Sequence, residues 1–228
     1  MTVSKTSVVI GGLSGIGQVI TETLRQRGDT CFSCSRRESV DPFHISHDLL
    51  SRETLAIDKT IDAIVFCQRE RDPKLSQNAL MVDATIRFLE SNWHILNAHS
   101  SIVFLGSVAG ANVTIEQDSF YHATRAAIES LARYYAVKNP IPYCRVNCVI
   151  PTTIIKPENK IYFDNLSTQR SLIERITPLK RMGTALDIAN AVEFFTSDKS
   201  SFISGQSLVI DGGASALSPE SIGKKSKN

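Results

Sequence analysis

Short apolar runs alternate with stretches whose apolar positions recur at helical spacing along most of the chain. Ser7-Val8-Val9-Ile10 is strand-like, glycines follow it, and a helical pattern then runs from about Ile16 to Arg27 and stops at Gly28. Thr30 to Ser33 predicts a second strand, Phe43-His44-Ile45 a short third, Ala63-Ile64-Val65-Phe66 a fourth and Ile102-Val103-Phe104-Leu105 a fifth. Arg145 to Ile150 and Ser207-Leu208-Val209-Ile210 predict the sixth and seventh. The fourth and fifth runs are apolar without alternation, as in strands covered on both faces. Helical periodicity is clearest in Ala126 to Val137 and Ala185 to Phe195. This alternation predicts an α/β class fold, a doubly wound parallel sheet of seven strands between two layers of helices. No repeat or linker divides the chain, so residues 1–213 are read as one domain, followed by a polar, loose tail over 214–228.

Composition adds exclusions. Hydrophobic residues make up 42% of the 228 positions, and a net charge of +2 gives no electrostatic reason to expect nucleic acid or an acidic membrane as partner. Small-molecule ligands fit better. No apolar run approaches the roughly 18 residues of a membrane span, and Met1-Thr2-Val3-Ser4-Lys5 lacks the apolar core of a signal peptide, so a cytoplasmic location is expected. Cys31-x-x-Cys34 and Cys144-x-x-x-Cys148 resemble zinc spacings, but period-two strand geometry sends Cys31 and Cys34 to opposite faces, and no metal site is expected.

Gly11-Gly12-Leu13-Ser14-Gly15-Ile16-Gly17 follows the first strand and opens the first helix, the context in which a glycine-rich turn can hold a pyrophosphate. Tyr121-His122-Ala123-Thr124-Arg125 places a phenol and a permanent cation on one helical face, with Ser107 fourteen residues upstream of the phenol. A tyrosine with a reference pKa near ~10 is a weak acid or base at neutral pH unless a nearby cation favours its phenolate. Ser35-Arg36-Arg37 closes the second strand with basic residues.

The glycine spacing, Ser107-Val108-Ala109-Gly110, Tyr121 to Arg125, Arg145 to Pro151, and the segment from Pro178 through Asp187-Ile188-Ala189 to Asp211-Gly212-Gly213 together resemble the short-chain dehydrogenase/reductase family in its single-domain form. The resemblance implies a Rossmann-type fold and hydride transfer between a nicotinamide and a carbonyl or alcohol carbon of a small organic substrate. It implies Tyr121 as general acid/base, Ser107 orienting the substrate oxygen, Arg125 as electrostatic activator and ribose contact, and Asp83 as support for Arg125. Cofactor contacts are implied at Gly11, Leu13, Ser14, Gly15, Ile16 and Gly17, at Ser35 and Arg36, at Asp48 and Leu49 against adenine, and at Phe66, Tyr121, Arg125 and Ile154. Where a family member preferring NAD carries an acidic residue, this chain has Ser35-Arg36-Arg37, and a guanidinium at Arg36 suits a 2′-phosphate, so NADP(H) is the predicted cofactor. A homodimer or homotetramer packed through the Tyr121 helix and the C-terminal strand is also implied.

Several positions depart from the family pattern. Arg125 stands where the family has lysine, and unlike lysine it does not release a proton into a relay. Asp83 replaces an asparagine, Phe66-Cys67-Gln68-Arg69 replaces Asn-Asn-Ala-Gly, and Pro151-Thr152 replaces Pro-Gly. Phe66 and Arg69 are bulky and are expected to alter or partly fill the cofactor pocket. Two alternatives therefore stay open: a binding or partner subunit with little redox turnover, and a dehydratase or isomerase using Tyr121 and Ser107. The stretch Thr152 to Thr177, with a helical Leu166 to Ile176, is expected to form a lid over the substrate.

Overall fold

A computed structural model describes residues 4–68, 77–165 and 167–227. Its central sheet holds seven parallel strands: β1 Thr6–Ile10, β2 Thr30–Ser35, β3 His44–Ser46, β4 Ile61–Phe66, β5 Leu96–Leu105, β6 Arg145–Pro151 and β9 Ser207–Ile210, in the order β3-β2-β1-β4-β5-β6-β9. A small second sheet pairs β7 Ile154–Ile155 with β8 Gly183–Thr184. The helices are α1 Gly15–Arg27, α2 Gln77–Asn92, α3 Ser119–Lys138, α4 Lys160–Asn165, α5 Ser167–Ile176, α6 Ala185–Thr196 and α7 Pro219–Lys227.

The apolar strand runs divide by parity between two cores. Val8, Ile10, Ile64, Phe66, Ile102 and Phe104 point to one face, where Phe88 of α2 and Ile128 and Ala132 of α3 cover them. Val9, Val65, Val103 and Val149 point to the other, under Ile20 and Leu24 of α1 and Ile188 and Val192 of α6. Two covered faces explain runs without alternation: a strand buried on both sides has no position for a solvated side chain. Cys34 and Cys31 fall in these two different cores, as period two requires.

Strand order reverses between β1 and β4, since β2 and β3 lie on one side of β1 and the later strands lie beyond β4. In open parallel sheets such a switch point leaves a crevice at the carboxyl ends of the strands. Here the loops after β1 and β4 meet at that crevice, with the Cys67 N–H donating to the Ile10 carbonyl at 2.8 Å. Residues 47–60 cross from β3 to β4 without a helix.

The chain beyond residue 213 includes α7. Pro219 opens α7, and Ser218 Oγ accepts from the Ser221 N–H at 3.3 Å, so Ser-Pro-Glu is a helix start with serine as cap and proline in the first turn. The helix packs against α5.

Candidate active site

A cavity of about 580 Å³ fills the switch-point crevice and runs from the end of β2, past the turn after β1, to the first turn of α3. The turn after β1 is built by glycine for steric reasons. Gly11 and Gly15 take the left-handed backbone at φ 82 and 59. A side chain on Gly17 would run into the Gly11 carbonyl oxygen, so the N-terminus of α1 sits directly on the β1 turn. Leu13, Ser14, Gly15, Ile16 and Gly17 all face the cavity. The first turn of α1 contains no acidic residue, and Ser14 makes no side-chain cap. Its hydroxyl instead accepts from Arg37 Nη2 at 3.2 Å, which brings the β2 end over the turn.

Ser35, Arg36, Asp48, Leu49 and Ile154 also lie on the cavity wall, as do Ser107, Tyr121 and Arg125. Asp48 is exposed, and its carboxylate accepts from the Leu50 N–H at 3.0 Å, which fixes the turn after β3. Asp118 caps α3 by accepting from the Tyr121 N–H at 2.7 Å, so Tyr121 lies in the first turn. Ser107 Oγ accepts from the Ala109 N–H at 3.2 Å and caps the short helical turn Val108–Gly110. The His122 ring ties that turn to α3, with Nδ1 2.7 Å from the Ala109 carbonyl and Nε2 3.2 Å from the Thr114 carbonyl. The guanidinium of Arg125 lies over the Tyr121 ring, 4.9 Å from its centroid, and Nη1 donates to the Leu105 carbonyl at 3.2 Å. The arginine is thus stacked on the phenol and anchored to the end of β5.

Two expected site residues lie elsewhere. The Asp83 carboxylate bonds Arg87 Nε at 2.7 Å, one turn along the exposed face of α2, and is not on the cavity wall. Asp83 is therefore not the counter-ion of Arg125; its helix turns it towards solvent, where an (i, i+4) arginine is the nearer partner. Phe66 does not fill the pocket either. It is 2% exposed, stacked on Phe104 at 5.1 Å and edge-on to Phe88 at 5.8 Å, because its parity matches Ile64 and sends the ring into the α2 and α3 core. Among the described residues of that stretch, Cys67 and Gln68 reach the cavity. Arg69 lies outside the described residues.

Other groups on the wall escaped sequence reasoning. Among the described residues Gln68 Oε1 and His47 Nε2 are buried there without a hydrogen-bond partner, and burial holds the His47 imidazole below its ordinary range, which favours the neutral ring. Burial pushes the Cys67 thiol up to about 12, which leaves it a neutral wall group rather than a nucleophile. Lys156 and Glu158 enter from the segment after β7. Gln68 belonged to a stretch read for its bulk, whereas nothing in the local pattern of Lys156-Pro157-Glu158 pointed to the glycine turn.

These features, glycine cradle at the switch point and Ser107, Tyr121 and Arg125 at the far end of one cavity, match what comparison with known proteins finds. A family model described as enoyl-(acyl carrier protein) reductase matches residues 70–215. The chain belongs to the short-chain dehydrogenase/reductase family. A tropinone reductase homolog of Arabidopsis thaliana is 28% identical over 91% of this chain and 92% of its own length. An oxidoreductase of the short-chain family from Burkholderia thailandensis superposes with a TM-score of 0.79 over the whole of this chain and 99% of its own, at 21% identity. A variant of ElxO with NADPH bound superposes at 0.76 over 94% of this chain and all of its own, at 18% identity. Members of this family are oxidoreductases that use a nicotinamide cofactor and act on small molecules. The cavity fits such a group: a cradle that side chains would fill, buried polar atoms on its wall and cations at both ends. Among the described residues no helix is long and apolar enough to cross a membrane.

Proposed function

We propose that the protein is an NADPH-dependent oxidoreductase acting on the carbonyl or alcohol carbon of a small organic substrate, with Tyr121 as general acid/base. The observation that carries this reading is the single cavity that joins the Gly11 to Gly17 turn to Ser107, Tyr121 and Arg125. Bound cofactor supplies or accepts the hydride. In the reductive direction Ser107 hydrogen-bonds the substrate oxygen and orients it, and Tyr121 Oη donates a proton to that oxygen as it gains charge. Arg125, stacked on the ring, holds the phenol in place and offsets negative charge on it. Because arginine does not pass the proton on, water entering the cavity resupplies Tyr121.

Preference for NADPH rests on Arg36 and Arg37, which lie on the wall beside the glycine turn. Two guanidinium groups there suit the extra 2′-phosphate, and charge-assisted contacts of this kind are strong. In calorimetric titrations, replacing both by alanine is expected to weaken NADPH about 10- to 100-fold and to leave NADH within about twofold. Equal losses for the two cofactors would remove the preference. The functional assay follows oxidation of NADPH across a panel of ketones.

We also propose a homodimer or homotetramer packed through α3 and β9. Support comes from Tyr134 and Val137 on α3 and Leu208 and Val209 on β9, all exposed apolar side chains. Light scattering is expected to give two or four chains; a monomer would refute the packing.

A further inference from the structure

Glu158 lies on the cradle. A Cβ built on Gly15 would stand 2.7 Å from Glu158 Oε1 and 3.2 Å from Oε2, so the carboxylate packs directly against the first residue of α1. That helix end has no acidic residue of its own in the first turn and no side-chain cap. Helix N-termini favour negative charge, and Glu158, 143 positions beyond Gly15 in the chain, supplies it. Its placement is braced. Glu158 lies within the short helical turn Pro157–Asn159, where Asn159 Oδ1 accepts from the Lys156 N–H at 2.6 Å and Asn159 Nδ2 donates to the Ile154 carbonyl at 3.1 Å. Lys156 Nζ stands 3.9 Å from Glu158 Oε1.

A dinucleotide pyrophosphate and this carboxylate want the same seat. Both are anionic, and at contact distance like charges on a partly desolvated wall repel strongly. We propose that Glu158 is a built-in occupant of the phosphate seat: its carboxylate closes the cradle in the cofactor-free protein, and an incoming dinucleotide displaces it. On displacement Lys156 loses its carboxylate neighbour and turns to the phosphates. The 156–159 turn is then a latch whose position reports cofactor, and it sits at the start of the segment that leads into α4 and α5. This inference rests on the reading of the cavity as a dinucleotide site and adds a residue that works against binding.

The test compares the wild-type protein with Glu158→Gln, which keeps size and hydrogen-bonding capacity but removes the charge. Calorimetric titration with NADPH is expected to give about tenfold tighter binding for Glu158→Gln at low salt, with the gain shrinking as ionic strength rises. Lys156→Met is expected to weaken binding. Amide exchange over residues 154–160 is expected to speed up when NADPH binds the wild-type protein and to be fast already in cofactor-free Glu158→Gln. Unchanged or weaker NADPH binding by Glu158→Gln overturns the latch while leaving the dinucleotide site in place. Binding by neither protein overturns both, whereas binding only by Glu158→Gln supports the latch in its strongest form.

Discussion

Tyr121→Phe is expected to lower kcat by about 10²- to 10⁴-fold, the range associated with a positioned general acid. The substitution is clean for structural reasons. Phenylalanine keeps the ring beneath the Arg125 guanidinium, and Asp118 caps α3 through the backbone N–H of position 121, which is unaffected. Only the hydroxyl goes. The ring stack and the helix cap are therefore expected to be kept while turnover collapses. Ser107→Ala would be harder to interpret, because Ser107 Oγ also caps the turn Val108–Gly110 that His122 ties to α3. Stopped-flow measurement of NADPH oxidation with a reactive ketone separates chemistry from product release. Activity surviving in Tyr121→Phe would remove the phenol from the mechanism. In the same assay Arg125→Lys shortens the side chain and loses the planar stack, but restores an ammonium able to release a proton; faster turnover in that variant would identify proton resupply as the slow step.

The fold was legible because each face of the sheet is covered by its own pair of helices, so apolar runs and helical periodicity both follow from burial. Boundaries were less legible where polar residues serve the sheet. β5 begins at Leu96, well before Ile102, because Asn97 Nδ2 donates to Asp62 Oδ1 at 2.7 Å and Ser101 Oγ donates to the Phe195 carbonyl at 2.8 Å. Likewise α3 begins at Ser119 because Asp118 caps it, a signal that lay in the sequence ahead of the apolar pattern at Ala126.

The site divides in the same way. Gly11 to Gly17, Ser107, Tyr121 and Arg125 reach one cavity because each follows a strand end or opens a helix, positions that motif spacing encodes. The roles of Asp83 and Phe66 followed from resemblance to a family pattern, and local geometry places both elsewhere. For Asp83 the (i, i+4) pairing with Arg87 was readable; for Phe66 the shared parity with Ile64 was readable. The approach of Glu158 to Gly15 was not, since no local pattern encodes a contact between segments so far apart.

Gly17→Ala is expected to cost about 3 kcal/mol, at the upper end of overpacking penalties. The reason is what the added methyl meets. It would run into the Gly11 carbonyl oxygen and stand 2.9 Å from the Gly11 carbonyl carbon, both backbone atoms that cannot rotate aside as a side chain would. Gly11 in turn is held by its N–H donating to the Cys34 carbonyl at 2.7 Å and by φ 82, so the strain passes into the β1–β2 pairing. For a chain of 228 residues that cost lowers Tm by about 10 °C. Any relief comes from moving α1 off the turn, which withdraws the helix N-terminus from the phosphate seat, so NADPH affinity is expected to fall more than about 100-fold. Gly223→Ala is the control: among the described residues nothing outside its own helix backbone lies within 4 Å of its added Cβ, and alanine favours a helix by roughly 1 kcal/mol over glycine, so Tm is expected to hold or rise slightly. Scanning calorimetry and NADPH titration of the two variants decide the matter. A Gly17→Ala protein that melts and binds like the wild type would mean that α1 does not rest on the β1 turn as closely as this packing requires.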